Sequence, residues 1–346
     1  AFINNAEIAA GIHDIGTPPL GDPTKEIDPK YLSEEKAVRR LLAKYDVSPL
    51  EEKYGMDIEL VLRAIEGIGE MGDLLDIADK LEYTAQDVSQ YVGNQYASPE
   101  YTYLAQSIEP IKALLRTDPE WANIYKEVKK DEKKGFYFED SKRLGTFLEL
   151  RALMHKSLYL NPHCRGLDMV YKLLTYPLYS RHPNKNFPLN AENLLFMNDY
   201  NLMRIINSHW QLAQNAEAIF SLLSVPPHFE TALSQFDAQR IVTNLTENGA
   251  LVIGTETIRR FNPATNFLTI DKKGGKIKKY KEVNPNHARL LDKVVDFCNR
   301  TVVYYWPDNV IPLISDYNKK LRPVIEDIVK DIKQKNEGRL PHYKLF

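Results

Sequence analysis

Apolar residues recur at helical spacing along most of this chain. Between 33 and 44, Ala37, Val38, Leu41 and Leu42 form one stripe, Ser33 stands at the N-cap position, and Glu34 and Glu35 suit the first turn, so the pattern predicts a helix. The same period predicts helices over 57–67, 72–91, 98–115, 118–130, 141–160, 167–178, 191–207 and 211–223, with 131–138 a charged and then aromatic connection. A short apolar run, 8–12, ends just before His13, and Gly16, Pro18 and Pro19 then turn the backbone away. After Pro226-Pro227 the texture changes. Residues 250–254 and 266–270 are rich in β-formers, and Lys273-Gly274-Gly275-Lys276, flanked by 267–270 and 277–280, is a hairpin signal. Two further helices are expected over 286–298 and 311–335. The pattern predicts a mainly α protein, with a helical core over 1–225 and a smaller C-terminal α+β lobe containing a β-hairpin over 226–346.

Charge and composition narrow the classes of function. A formal net charge of −2 over 346 residues lacks the basic excess of a dedicated nucleic-acid binder. One tract, Lys272 to Lys281, is strongly basic; it reads as a solvated hairpin tip, with an anionic effector or nucleic acid as the sharper alternative. Cys164 and Cys298, far apart, make no disulfide framework and fit a reducing compartment. No apolar run is long enough to span a bilayer and no secretory signal peptide stands out, so a cytoplasmic protein without a membrane partner is expected. The chain opens on Ala1 rather than methionine, as a processed product or a shortened chain would.

The candidate chemistry begins at His13-Asp14, where an imidazole and a carboxylate side by side can both ligate a divalent cation. Within 72–91, Asp76, Asp79, Tyr83 and Asp87 follow at spacings of three, four and four, on one helix face, with Lys80 one step round. Alone, that stripe reads as a solvated acidic face; beside His13-Asp14 it reads as a third metal ligand with a lysine for an anionic substrate, the combination phosphoester hydrolysis uses. Arg151, His155 and Tyr159 share another helix face, where the arginine can fork a phosphate and the tyrosine can meet a nucleoside. His163, Arg181-His182 and His209-Trp210 read as packing or loop residues.

The stretch His13-Asp14-Ile15-Gly16-Thr17-Pro18-Pro19-Leu20-Gly21 resembles the central motif of the HD-domain metal-dependent phosphohydrolases, most nearly the deoxynucleoside triphosphate triphosphohydrolases. Asp79-Lys80-Leu81-Glu82-Tyr83, continuing to Asp87, resembles their second motif. The resemblance implies an HD-domain helical core, a metal site of His13, Asp14 and Asp79 for a divalent ion (Mn, Mg, Fe, Co or Zn), phosphate contacts from Lys80 and Arg151, and Tyr83, Asp87, His155 and Tyr159 around the nucleoside. It implies hydrolysis of a dNTP to deoxynucleoside and tripolyphosphate by a homo-oligomer. Departures from the pattern are plain. The family's first metal histidine comes from a helix upstream of the His-Asp pair, and no counterpart appears here; Thr17 and Asp22 stand where the family has histidines. Asp22 or Glu34 would then manage the water or the leaving-group proton. Asp22 also gives a partial resemblance to the HD-type 5'-deoxynucleotidases, which act on monophosphates, and the missing histidines fit a lapsed domain kept as a nucleotide sensor or assembly component.

Overall fold

The computed structural model describes residues 2–93, 102–212, 227–257, 267–295 and 300–307. The protein is mainly α with small sheets of a few strands. The helix expected over 311–335, all but the start of the one over 211–223, the first residues of the one from 98, and Cys298 lie outside the described residues. Contacts gather the chain into two compact units, each assembled from three stretches: 1–10, 50–161 and 259–298 in the first, 11–49, 162–258 and 299–346 in the second. Among the described residues no helix is long and apolar enough to cross a membrane.

The first unit is organised by one long helix, Gly69–Gly93, against which Ile58–Ile65, Thr102–Thr117 and Ser141–Met154 pack. Ile58–Ile65 buries Val61, Leu62, Ala64 and Ile65, and Asp57 caps it by accepting the Leu60 N–H at 3.0 Å. Between 118 and 138 the structure corrects the sequence reading. The expected helix to Lys130 is only a 3₁₀ stretch, Trp121–Glu127, and the expected connection is a hairpin, Val128–Asp131 paired antiparallel with Gly135–Phe138. Gly135 at φ 81° takes the left-handed position that closes the turn. This hairpin joins the second one, Leu268–Asp271 with Lys276–Lys279, through a parallel pairing of Phe138 with Thr269. A four-stranded sheet results, sealed where the Phe138 and Phe147 rings meet Phe267 edge-on at 5.7 and 5.8 Å.

Three other helices end differently from expectation. The helix from Ser141 passes at Met154 into a π-turn, His155–Tyr159. Pro162–Thr175 gives way to a 3₁₀ turn, Tyr176–Leu178, where Pro177 withholds a backbone donor. Asn198 splits the stretch over 191–207: its side chain accepts the Asn201 N–H at 2.9 Å and starts Asp199–Leu212 after a short 3₁₀ turn. Ser33 does precede Glu34–Leu42, but its side chain makes no capping bond.

In the second unit Thr301–Trp306 is the middle strand between His228–Ala232 and Leu251–Thr257, antiparallel to both. Four consecutive residues from Thr301 to Tyr304 are buried, so both faces of this strand are covered. Helices Gln235–Glu247 and Pro162–Thr175 pack on the sheet. The second of these brings charge inside. Arg165 reaches Glu26 at 2.9 Å, Asp168 at 3.1 Å and Glu256, while Lys172 pairs with Glu26. Burial works against the Arg165 cation, and the three carboxylates outweigh it and hold its proton more firmly than usual. Burial also lifts Asp168 to about 6, against the pull of Arg165 and Lys172.

Candidate active site

Helix Phe2–Ile12 runs directly into a 3₁₀ turn, His13–Gly16, so the His-Asp pair sits at a helix end. In the second unit that turn rests on helix Glu34–Leu42, and Gly16 explains how closely. A Cβ there would stand 2.5 Å from the Glu34 carbonyl oxygen and 2.7 Å from the Val38 nitrogen, both backbone atoms that cannot swing aside. Gly16→Ala is therefore expected to cost about 1–3 kcal/mol through overpacking, read as a lower urea midpoint; an unchanged midpoint would contradict the packing described. Past the turn, Leu20 at φ 63° and Gly21 at φ 62° are successive left-handed residues. Leucine is unusual there, and its N–H is held by Asp199 Oδ1 at 2.8 Å.

Four residues of the same unit converge near that loop. Thr17 Oγ1 donates to Glu34 Oε1 at 2.8 Å, and Lys25 Nζ bridges Glu34 at 2.9 Å and Asp22 at 2.7 Å. The two acid-base candidates, Asp22 and Glu34, thus share one ammonium. Burial works against that ammonium, and its bonds to Asp22 and Glu34 outweigh it, so the Lys25 pKa is raised. Thr17, standing where the resembled family has a histidine, here serves to orient Glu34. Lys25 escaped the sequence reading because nothing in its immediate neighbours marks it; only the fold brings Glu34 to it.

Of the expected metal ligands, His13 and Asp14 lie in the second unit and Asp79 in the first. His13 Nε2 lies 3.2 Å from Asp14 Oδ2. Among the described residues no group of three or more His, Cys, Asp or Glu side chains is placed to hold a metal ion.

Within the first unit the structure does bring sequence-distant candidates together. Arg151 Nε donates to the Tyr83 hydroxyl at 2.8 Å, and the Tyr159 hydroxyl donates to Asp87. The Tyr83 and Tyr159 rings meet edge-to-face at 6.0 Å, and His155 lies 4.9 Å from the Tyr159 ring. The π-turn carries His155 and Tyr159, and such turns often mark functional positions. Arg151 is buried, so this cation is a fixed part of the network rather than a flexible surface arm. Burial raises both tyrosine hydroxyls above their ordinary range, with Asp87 adding to it at Tyr159, so both stay protonated.

Burial, and then the Arg151 charge, push the His155 imidazole down to about 3. At neutral pH it is uncharged and cannot serve as a cationic acid. An unfolded imidazole titrates near 6.5, so between those values the unfolded chain binds a proton that the folded chain refuses. Stability from this group is complete above about 6.5 and falls as the pH drops toward 3. In urea melts at pH 7 and 4.5, wild type should lose about 2 kcal/mol more than His155→Phe across that interval; equal losses would contradict it.

Lys80 turns elsewhere. It pairs with Asp76 and lies 6.0 Å over Phe267, at a cavity of about 390 Å³ that Lys134 and Lys279 also line. That lining includes none of Tyr83, Asp87, Arg151, His155 or Tyr159.

No family model matches the sequence, and no curated protein matches it significantly. Among solved structures, the chain is similar to the crystal structure of a phosphohydrolase from Bacteroides thetaiotaomicron, with a TM-score of 0.58 over 88% of this chain and 80% of that one, at 15% identity. At that identity the likeness is one of fold.

Proposed function

We propose that this chain is a phosphohydrolase of deoxynucleotides, converting a dNTP to deoxynucleoside and tripolyphosphate. The observation that carries the reading is the pairing of Tyr83 with Arg151 and of Asp87 with Tyr159, across 68 and 72 residues of sequence. These are the side chains that the motif resemblance assigns to the nucleoside and the phosphate. A phosphohydrolase of the same fold supports the reaction class. In this account the two tyrosine rings and Asp87 receive the sugar and base, Arg151 offers charge to the phosphate from a buried position, and neutral His155 holds the Tyr159 ring in place. Within the second unit, Glu34 is held by Thr17 and Lys25, and Asp22 shares that lysine.

The Thr17–Glu34 bond, and the lack of a three-donor group among the described residues, favour a second reading, a nucleotide-binding domain without turnover. One assay separates them: dNTPs and dNMPs are incubated with the protein in Mn²⁺ or in chelator, and products are resolved by ion exchange. Tripolyphosphate from dNTPs supports the proposal; orthophosphate from dNMPs shifts the substrate to monophosphates; nucleotide binding without any product leaves the second reading.

A further inference from the structure

The second unit contains a cavity of about 380 Å³ built from helix Glu34–Leu42, the residues that follow it and the 181–195 stretch. We propose that it is a binding site for the polyphosphate group of a small molecule, separate from the residues assigned above to the nucleotide.

The cations that line this cavity are not equally neutralised. Arg181 is fixed by a two-pronged bond to Asp28, at 2.8 and 3.1 Å, and its guanidinium lies 4.5 Å over the Tyr31 ring. Lys44 is paired with Glu192. Arg40 differs from both. Its guanidinium donates to the backbone carbonyls of Tyr31 and, at 3.4 Å, Lys36, and it forms no ion pair among the described residues. It is half-buried and held in place by backbone carbonyls at the wall of a cavity large enough for a small ligand, and the Glu192 carboxylate that feels its charge is already paired with Lys44. Arg181 is matched by Asp28, and Glu192, the one carboxylate in the lining, faces both Lys44 and Arg40, so that pair of cations carries a surplus positive charge. Guanidinium geometry suits a phosphate fork, and Lys44 stands in the same lining to meet a second phosphate. His182, edge-on to Tyr31 at 6.3 Å, completes that side of the pocket.

A free inorganic polyphosphate and the tail of a nucleotide share this chemistry, and calorimetry can tell them apart. The full chain is titrated with inorganic tripolyphosphate and, separately, with a non-hydrolysable dATP analogue. Wild type, Arg40→Gln, Lys44→Gln and Arg151→Gln are compared, each checked for an unchanged melting profile. The expected result is binding weakened tenfold or more by Arg40→Gln and by Lys44→Gln but retained in Arg151→Gln. If tripolyphosphate alone behaves this way, the ligand is free polyphosphate; if the dATP analogue alone does, it is a nucleotide. Lys44 is exposed, so Lys44→Gln tests the site even if Arg40→Gln does not fold. Binding of neither probe, or binding that both Arg40→Gln and Lys44→Gln leave unchanged, would overturn the proposal whatever the outcome of the hydrolysis assay.

Discussion

Replacing Arg165 by alanine is expected to lower the stability of the protein by about 3–5 kcal/mol, the usual cost of stranding buried charge by removing one partner. Arg165 is the hub of a cluster drawing Glu26, Asp168 and Glu256 together, with Lys172 behind Glu26. Glu256 is 6% exposed and Tyr304 lies 3.4 Å from its carboxylate, so neither can turn to water once the arginine has gone. Chemical denaturation reads the loss. Pairing Arg165→Ala with Glu256→Gln should recover part of it, because one stranded charge is then removed; a double variant as unstable as the sum of the two single ones would show that the pair is not coupled.

Arg151→Gln is expected to reduce kcat/KM on a dNTP by about 100-fold or more, the order seen when a preorganised donor to a reacting phosphate or oxyanion is lost. Glutamine can still donate to Tyr83, so the network is largely kept while the charge is removed. Arg151→Lys keeps the charge but loses the planar fork, and should fall between the two. Steady-state product release checks this. A variant with wild-type kcat/KM would remove Arg151 from the phosphate site and leave it a structural partner of Tyr83.

What the sequence made legible was local. The period over Gly72 to Tyr91 lies within the long helix, and the Gly274-Gly275 turn marked its hairpin, because both signals sit within a few neighbouring residues. The hairpin over 128–138 was missed because its strands carry Lys129, Lys130 and Asp131, which read as a solvated connection; the strand that extends it into a sheet lies about 130 residues away. The interior cluster was missed for a related reason. Arg165, Asp168 and Lys172 on one helix face look like an exposed face until Glu26 and Glu256 arrive from other parts of the chain. The grouping into two units, each drawn from separated stretches, leaves no trace in a periodicity. In the candidate site the stripes foretold that Tyr83 and Asp87 would share a face, and Arg151 and Tyr159 another. That the two faces meet, that Lys80 turns instead toward Phe267, and that Lys25 ties Asp22 to Glu34 are properties of the fold.

The central claim is that a deoxynucleotide sits against Tyr83, Arg151 and Tyr159. Histidine-selective NMR tests it most directly, because His155 packs on the Tyr159 ring and stays neutral throughout the useful pH range. As a non-hydrolysable dNTP is added, the His155 ring signals should shift and saturate together with binding, and the shift should vanish in Arg151→Gln. Nucleotide that saturates the protein while the His155 signals stay in place would contradict the account and put the nucleotide elsewhere.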